Sequence, residues 1–282
     1  STLETQLDTI GCTYAVAVNE DSKVQVIAGV NRLNGIGGFG SDATTDPTAV
    51  TTSNVNSLKF KEGYFGMFGL GYEIPEYYLR FSAMYYPEYS NSASGSGSYV
   101  INGVDIVTTP ADTPKMVISP QRLHLYAQSG IYPKWLILAG YIYAQWSKVP
   151  TLSVNFSSAT WAAAGLPPST TQYLFGNDAH YFYGGVAHLL TKAIKLNAVL
   201  FYEPSRDNPV DSMRTPSRGG VFSSMFGSSY DYNSHVTLGM RYSFLTAAST
   251  KVAYTTSAGT SISGDFPTSY GHKFQMYGEY KL

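Results

Sequence analysis

The stretch Ser234-His-Val-Thr-Leu-Gly-Met-Arg-Tyr-Ser-Phe244 alternates between two kinds of side chain. One set, at every second position from Val236, is apolar or aromatic, and the other set includes Thr237, Gly239 and Arg241. Side chains of a β-strand point to opposite faces with a period of two. The stretch is therefore predicted to be a strand with one apolar face and one polar or small face.

The end of the chain repeats this pattern, with Phe274, Met276 and Tyr280 opposite Gln275 and Glu279. Tyr-rich strands with this alternation are typical of a transmembrane β-barrel, whose outer face contacts lipid. We therefore predict an all-β fold, an antiparallel transmembrane β-barrel that forms a single domain over residues 1–282.

The composition of the 282 residues agrees with this prediction, because only 13% are charged and 15% are aromatic, with 24 Tyr. Soluble domains carry about 25% charged residues. A secreted β-sandwich or solenoid is the alternative that a Tyr- and Gly-rich chain leaves open. The longest apolar stretch, 135–144, is shorter than the about 20 residues that a transmembrane helix needs.

Short turn signals separate the alternating runs, and longer segments rich in Ser, Thr, Gly and Pro lie between the hairpins. The short turns are predicted at 19–22, 74–76, 132–134, 190–192 and 245–250, and the long loops at 34–57, 91–114, 150–177 and 204–228. Short turns at one rim and long loops at the other are the layout of an outer-membrane barrel, with the short turns in the periplasm.

Eleven strands are predicted between these connections. They lie at about 6–18, 23–34, 58–73, 77–91, 115–131, 135–149, 178–190, 194–203, 229–244, 250–262 and 268–282. Single-chain bacterial barrels have an even number of strands. Either one strand is missed, near 98–107, or the chain lacks an N-terminal part, and we favour the second interpretation.

Several strands are apolar on both faces, which is unusual for the wall of a water-filled pore. In segment 135–146, Leu138 and Ile142 lie on one face and Ile137 on the other. Apolar surface left in water costs about 25 cal/mol per Å², so the inner wall is expected to contact an apolar ligand or a plug. Plain packing of side chains is the alternative. The residues predicted to contact a ligand in the lumen are Met67, Arg80, Met84, Leu138, Ile142, Val199, Phe201 and Arg241.

Cationic residues on the predicted inner face need a partner. The four cations are Arg80, Lys148, Lys195 and Arg241. We favour a salt bridge within the wall, and the head group of a fatty acid is the alternative partner. The candidate carboxylates are Glu62, Glu203 and Glu279.

Aromatic residues near strand ends are interpreted as girdle residues at the membrane interfaces rather than as ligand contacts. They are Tyr85, Tyr86, Tyr89, Trp135, Tyr143 and Trp146.

Five histidines raise the question of catalysis or metal binding. His180 and His188 lie about 26 Å apart along one predicted strand, so they cannot share a metal ion. His124 and His235 have no serine motif or acidic partner nearby in sequence. No catalytic site, metal site or cofactor is predicted, and the protein is not expected to be an enzyme.

Two further observations exclude other classes of partner and site. The net charge of -1 provides no basic patch for nucleic acid. The single Cys12 excludes internal disulfides and cysteine-based metal clusters.

Several segments resemble the FadL family of outer-membrane transporters for long-chain fatty acids and other hydrophobic compounds. Residues 120–148 resemble the Pro-led strand, Lys-Trp turn and Asp-Trp-Ser strand end of that family, with Gln145 in place of the Asp. Residues 203–205 and 213–216 resemble its strand end and Arg-Thr-Pro loop, although 217–220 departs from the pattern after that loop. Residues 280–282 resemble its Tyr-Lys-Phe terminus.

The resemblance implies a barrel of fourteen strands with an N-terminal hatch that plugs the lumen. The chain would then contain the C-terminal eleven strands, without the hatch. It further implies diffusion-driven uptake of hydrophobic small molecules, such as long-chain fatty acids, across the outer membrane of a Gram-negative-type bacterium. The expected partners are fatty acids, detergent or lipid in the lumen and outer-membrane lipid around the wall.

A different function remains open for the same barrel. It could act through its extracellular loops, as an anchor for surface proteins or as one subunit of a larger outer-membrane assembly. The loops rather than the lumen would then carry the function.

Overall fold

The computed structural model describes most of the chain. The described residues are 2–46, 49–101, 104–149, 151–156, 159–163, 168–173, 177–205, 220–255 and 261–280. Helical structure within them is confined to short 3₁₀ turns at Pro75–Tyr77 and Trp146–Lys148 and to the helix α1 at Ala159–Ala163. No helix in these residues has the length and hydropathy needed to cross a membrane.

The rest of the regular structure consists of β-strands. They are β1 (Thr2–Asn19), β2 (Ser22–Asp46), β3 (Ala49–Ile74), β4 (Leu79–Tyr86), β5 (Tyr89–Asn91), β6 (Ala93–Ile101), β7 (Val104–Asp112), β8 (Met116–Ser119), β9 (Arg122–Tyr132), β10 (Trp135–Ala144), β11 (Thr151–Phe156), β12 (Ser169–Tyr173), β13 (Ala179–Leu189), β14 (Ile194–Glu203), β15 (Val221–Asp231), β16 (Val236–Ala247), β17 (Thr250–Thr255), β18 (Ser261–Phe266) and β19 (Ser269–Tyr280).

Eleven of the described strands form one antiparallel wall in which each strand pairs with its neighbours along the wall. Their order is β1, β2, β3, β4, β9, β10, β13, β14, β15, β16 and β19. Short connections at one rim join β1 to β2, β3 to β4, β9 to β10, β13 to β14 and β15 to β16. The predicted all-β, antiparallel up-and-down architecture is confirmed.

Three of the predicted wall elements are wrong, although the predicted count of eleven agrees. The strand predicted at 229–244 contains the short turn between β15 and β16. The short turn predicted at 245–250 lies at the opposite rim, and the strand predicted at 250–262 is instead the small hairpin β17–β18. The missing wall strand is β15, which pairs with β14 and β16 but falls largely in the predicted loop at 204–228. Its serines and Gly227 resemble a loop in sequence, yet pairing on both edges satisfies its backbone.

The other predicted loops also contain strands. β2 and β3 are 25 and 26 residues long, whereas about 9–11 residues suffice to span a membrane. Their distal halves, meaning the halves farther from the short-turn rim, form one sheet with β6, β7, β11 and β12. These four strands are an extension of the wall. The predicted additional strand near 98–107 is therefore a hairpin on the distal half of β3, and not a further wall strand.

A small apolar core holds this extension together. It contains Leu58, Ala93, Ala111 and Val154, each at most 2% exposed. Outside the membrane no face of a strand contacts lipid, so a Ser- and Thr-rich sequence can still form strands where their backbones pair. These segments therefore lack the apolar alternation by which the transmembrane strands were recognised.

The two faces of the wall differ sharply in exposure. Leu200, Phe226 and Met276 are 51%, 52% and 78% exposed on one face, whereas Thr237 on the other is 7% exposed. A soluble protein does not leave such a broad apolar face in water, so we assign it as the outer, lipid-facing surface. The opposite face is called the inner face below.

Phe226→Arg tests the position of β15 and the assignment of its faces. An arginine facing lipid near mid-membrane is expected to destabilise the fold by about 2–4 kcal/mol. The matched control is Met225→Arg, because the preceding residue of β15 lies on the inner face. Unfolding by denaturant in lipid bilayers measures both variants, and equal destabilisation would contradict the assignment.

Candidate functional site

The eight residues predicted to contact a ligand all lie on the inner face. In β10, Trp135 and Ile137 are exposed on the outer face, so Leu138 and Ile142 point inward. In β14, Leu200 and Tyr202 are exposed in the same way, which places Val199 and Phe201 inside. The same alternation places the other four: Met67, Arg80, Met84 and Arg241. Their contact with a ligand stays a prediction.

Cross-strand register brings some of these residues side by side. Met84 and Ile142 are the two register partners of His124, on β4 and β10. Two rows nearer the short-turn rim, Gln128 lies between Arg80 and Leu138 in the same manner, and the row in between contains Tyr126. The inner face is therefore a set of rows in which aliphatic side chains alternate with polar and aromatic ones.

The row of Arg80, Gln128 and Leu138 continues across the wall and ends in a close contact. Leu138 faces Gly185 on β13, which in turn faces Val199 on β14. A Cβ atom at Gly185 would lie 2.9 Å from Cγ2 of Val199. Leu138 and Val199 thus belong to one apolar patch, and Gly185 lies between them on β13.

Arg80 has a partner in the wall, but not one of the predicted carboxylates. Its Nη2 donates to Oε1 of Gln25 at 3.3 Å, and Nε2 of Gln25 donates to Oε2 of Glu73 at 2.7 Å. Glu73 is also the register partner of Arg80. Gln25, 9% exposed, therefore links the cation to a carboxylate on the neighbouring strand.

The remaining predicted salt bridges are also reassigned. Lys195 binds Asp231 at 2.9 Å, and Glu62 binds Arg32 at 2.9 Å. Lys148 lies in the exposed 3₁₀ turn after β10 rather than on the wall. These pairs join residues 30 or more positions apart, so local sequence gave no signal for them.

Arg241 borders a small cavity on the inner face, near the short-turn rim. The cavity has a volume of about 180 Å³ and is lined in part by Lys195, Asn197 and Tyr277. This polar lining separates Arg241 from the apolar rows around Leu138.

An aromatic and cationic cluster on the inner face was missed in the sequence. The guanidinium of Arg122 lies 5.0 Å from the ring centroid of Tyr86, and that ring lies 4.7 Å from the ring of His124. Nearby in register, Tyr181 is opposite Ile142, and its ring lies 5.6 Å from Phe201. A cation over a ring face is stabilised electrostatically, which allows Arg122 to face an aromatic lumen.

This cluster corrects part of the predicted girdle. Tyr86 points inward against His124, and Tyr89 stacks on Phe65 with ring centroids 5.2 Å apart. Trp135 and Tyr85 are exposed on the outer face, as predicted. Parity within β4 would have separated Tyr86 from Tyr85, because Tyr86 follows Arg80 and Met84 at even spacing.

Glycines on the inner face provide space for large neighbours. A Cβ atom at Gly140 would lie 2.0 Å from Cζ of Tyr183, the residue opposite on β13. One at Gly29 would lie 2.4 Å from Cε of Met67. The Tyr183 ring and the Met67 side chain can lie flat along the wall only because these positions lack a side chain.

The histidines do not form a metal site in the described part of the chain. No cluster of three or more His, Cys, Asp or Glu side chains that could hold a metal is found there. His180 and His188 lie near opposite ends of β13 and both face outward, which agrees with the predicted separation of the two residues along one strand.

At the distal rim of the wall, Asp178, just before β13, accepts hydrogen bonds from the end of β10 and from the turn that follows it. The backbone N–H of Ser147 donates to its Oδ1 at 3.0 Å, and the hydroxyl of Tyr143 donates to its Oδ2 at 2.5 Å. Partial burial would raise the pKa of this carboxyl, but the hydrogen bonds from Ser147 and Tyr143 outweigh it and lower the pKa below 3.8. These two hydrogen bonds, called the tie at Asp178 below, connect the turn at Trp146–Lys148 to the start of β13.

Comparison with solved structures gives the fold a precedent. The chain is similar to a Pseudomonas aeruginosa FadL homologue, with a TM-score of 0.66 and 14% identity over 97% of this chain and 67% of that one. It is similar to the CymD monoaromatic hydrocarbon channel, with a TM-score of 0.64 and 13% identity over 98% and 74%. It is also similar to the P. putida toluene transporter TodX, with a TM-score of 0.63 and 13% identity over 99% and 70%.

These similarities define the class of protein as an antiparallel β-barrel with a FadL-like fold. The resemblance predicted from the sequence is confirmed at the level of the fold. Its Arg-Thr-Pro motif at 213–216 lies outside the described residues. No protein-family model and no curated protein matches the chain. The compared structures are described as a transporter, a channel and a FadL homologue.

Gly140→Val is expected to displace the Tyr183 ring and to destabilise the fold by roughly 1–3 kcal/mol through overpacking. Gly184→Ala is the matched control on β13, because a Cβ atom there meets only the carbonyl oxygen of Leu138, at 3.7 Å. Denaturant unfolding in lipid compares the two. A Gly140→Val variant as stable as the control would show that Tyr183 does not occupy this space.

Acidification is expected to release the tie at Asp178. Because its pKa is lower in the folded protein, the tie stabilises the rim above pH 3.8 and is lost as the pH falls through the lowered value. Trp146 fluorescence should therefore stay constant from about pH 7 to 5 and change only in stronger acid. Asp178→Asn should remove that acid transition, and a transition that persists in the variant would assign it to another group.

Proposed function

We propose that the protein is an outer-membrane channel for the diffusion-driven uptake of hydrophobic small molecules. The observation that carries the proposal is the inner face of a FadL-like wall. On it, the apolar patch of Leu138 and Val199 and the row of Met84 and Ile142 lie on either side of a row that contains Tyr183 and Phe201. A water-filled pore would instead line these positions with charged or hydroxylated side chains. The membrane in question is that of a Gram-negative-type bacterium, with the short turns in the periplasm.

The mechanism follows from this lining. A hydrophobic solute leaves water among the distal strands and moves along inner-face rows that bury its surface at about 25 cal/mol per Å². Aromatic rings of Tyr86, Tyr181 and Phe201 add polarisable contacts along the way. In this proposal the concentration gradient of the solute drives its passage.

Two substrate classes fit such a path, namely long-chain fatty acids and small aromatic hydrocarbons. A fatty acid carboxylate would need a free cation, and Arg80 already lies opposite Glu73 with Gln25 between them. Arg122 is the better head-group candidate, because its guanidinium carbon packs on the Tyr86 ring and its Nε has no hydrogen-bond partner among the described residues. An uncharged aromatic compound needs neither cation.

A structural or assembly barrel is the second candidate. The observation that favours it is the extension formed by β6, β7, β11 and β12, which provides a folded surface outside the membrane. Shortening the β6–β7 hairpin separates the two functions. Uptake that survives shortening, while assembly or surface anchoring is lost, would favour the second candidate.

Ile142→Asp is expected to reduce uptake of labelled oleate and toluene at least tenfold, because a carboxylate in the apolar row must be desolvated when a solute passes. Ile142→Val is the matched control and should retain uptake. Flux is measured in proteoliposomes containing the full chain, after a gel-shift assay has shown equal folding.

The same assay ranks the two substrate classes. Arg122→Met should reduce oleate uptake without affecting toluene uptake if the head group binds Arg122.

Uptake by a folded Ile142→Asp variant at the wild-type rate would overturn the proposed path along the inner face.

A further inference from the structure

The outer face carries the same four-residue arrangement twice. On β10 and β13, His180 lies opposite Tyr143, and Tyr141 lies opposite Phe182. The second copy, on β16 and β19, pairs His272 with Phe244 and Tyr242 with Phe274. In each copy a histidine, two aromatic side chains and a diagonal tyrosine occupy one square of the sheet.

The two copies agree in geometry as well as in register. The Tyr141 hydroxyl and Nδ1 of His180 are hydrogen-bonded at 2.7 Å, and the Tyr242 hydroxyl and Nδ1 of His272 at 2.8 Å. Ring centroids of these pairs are 6.0 and 6.1 Å apart. The opposite rings, Tyr143 and Phe244, lie 5.4 and 5.2 Å from their histidines.

This hydrogen bond determines which ring nitrogen faces outward. When the tyrosine hydroxyl donates to Nδ1, the neutral imidazole carries its proton on Nε2. Both histidines are exposed, so Nε2–H is free to donate to a group outside the wall.

The position of both squares suggests what the donor binds. They lie close to the distal ends of strands of 10 to 12 residues, lengths that just span the hydrocarbon layer. The wall continues towards the apolar band, where Met240 and Phe226 are 52% exposed. The histidines therefore lie at the depth of the lipid head groups, where aromatic girdles occur.

We propose that these two Tyr–His squares bind phosphate groups of lipids in the outer leaflet, through Nε2 of His180 and His272. The proposal rests on the membrane placement given under Proposed function. An N–H donor that is oriented by a hydrogen bond and lies between aromatic rings at head-group depth is complementary to an anionic oxygen. The adjacent Phe182 and Phe274 would pack against the start of the acyl chains.

The charged and titratable neighbours differ between the squares. His180 has Tyr141 and Tyr143 on β10, Asp178 before its own strand, and Lys148 in the turn that Asp178 fastens. His272 has Tyr242 on β16 and Tyr270 and Lys273 on its own strand, and β19 pairs only with β16 in the described part of the chain. Since the Asp178 carboxylate opposes an anion, the His272 square should bind phosphate more tightly.

The test is a titration of the folded full chain in detergent with bisphosphorylated lipid A and with its dephosphorylated form, with bound lipids counted by native mass spectrometry. Wild type should bind the phosphorylated lipid more tightly than the dephosphorylated one. His180→Gln with His272→Gln should weaken phosphorylated-lipid binding roughly tenfold, as loss of a charge-assisted hydrogen bond implies.

His188→Gln is the matched control, because His188 also faces outward but stacks on Trp135 at the opposite rim, with ring centroids 4.1 Å apart. Its binding should equal that of wild type. Tyr141→Phe with Tyr242→Phe should give a smaller loss of the preference for the phosphorylated lipid, because the pair of variants removes the hydrogen bonds that orient the imidazoles and leaves both Nε2 atoms in place. A defect in folding alone would weaken binding of both lipid forms equally.

Equal binding of both lipid forms, or unchanged binding by the double glutamine variant, would overturn the proposal. Oleate and toluene flux in proteoliposomes separates this failure from failure of the proposed function. A double variant that inserts and transports normally while losing lipid selectivity supports the inference. A wild type that does not insert into bilayers overturns both.

Discussion

The structure depends on one constraint, namely that a strand in hydrocarbon must satisfy every backbone N–H and C=O by pairing with its neighbours. Unbroken antiparallel registers such as β10 with β13 and β15 with β16 meet this demand over the whole membrane thickness. Once the register is set, the period of two assigns every side chain to lipid or to the inner face. The inner rows, the outer aromatic residues and the glycine contacts all follow from it.

This constraint explains which parts of the fold could be predicted from the sequence. Transmembrane strands with a clear apolar face, such as Ile194–Glu203, were predicted with the correct bounds. Val221–Asp231 was not, because serines and a glycine interrupt its apolar alternation. The extension was missed for a different reason, since no face of it contacts lipid and its sequence needs no apolar alternation.

The candidate site was predictable only in part. Parity alone placed Leu138, Ile142 and Val199 on the inner face, and the structure agrees. Neighbours across strands could not be predicted, because they depend on register between distant segments. Gln25, which binds Arg80, is 55 residues away from it in sequence. Arg122 and Tyr181 were missed because an isolated polar or aromatic residue carries no signal until its row is known.

The wall and its extension are stabilised by different forces, and this difference bears on where function can change. In the extension, Leu58 and Val154 form a compact core, so a cavity there would cost about 2–5 kcal/mol, as in a soluble protein. The wall derives its stability from backbone pairing and lipid contact, which leaves inner-face side chains such as Met84 and Phe201 outside that core. Change at such positions is limited by their close neighbours on the inner face, as at Gly140 and Tyr183. The inner face is therefore a part of this barrel in which side chains can diverge while the register is retained, and with it the fold shared with proteins of 13–14% identity.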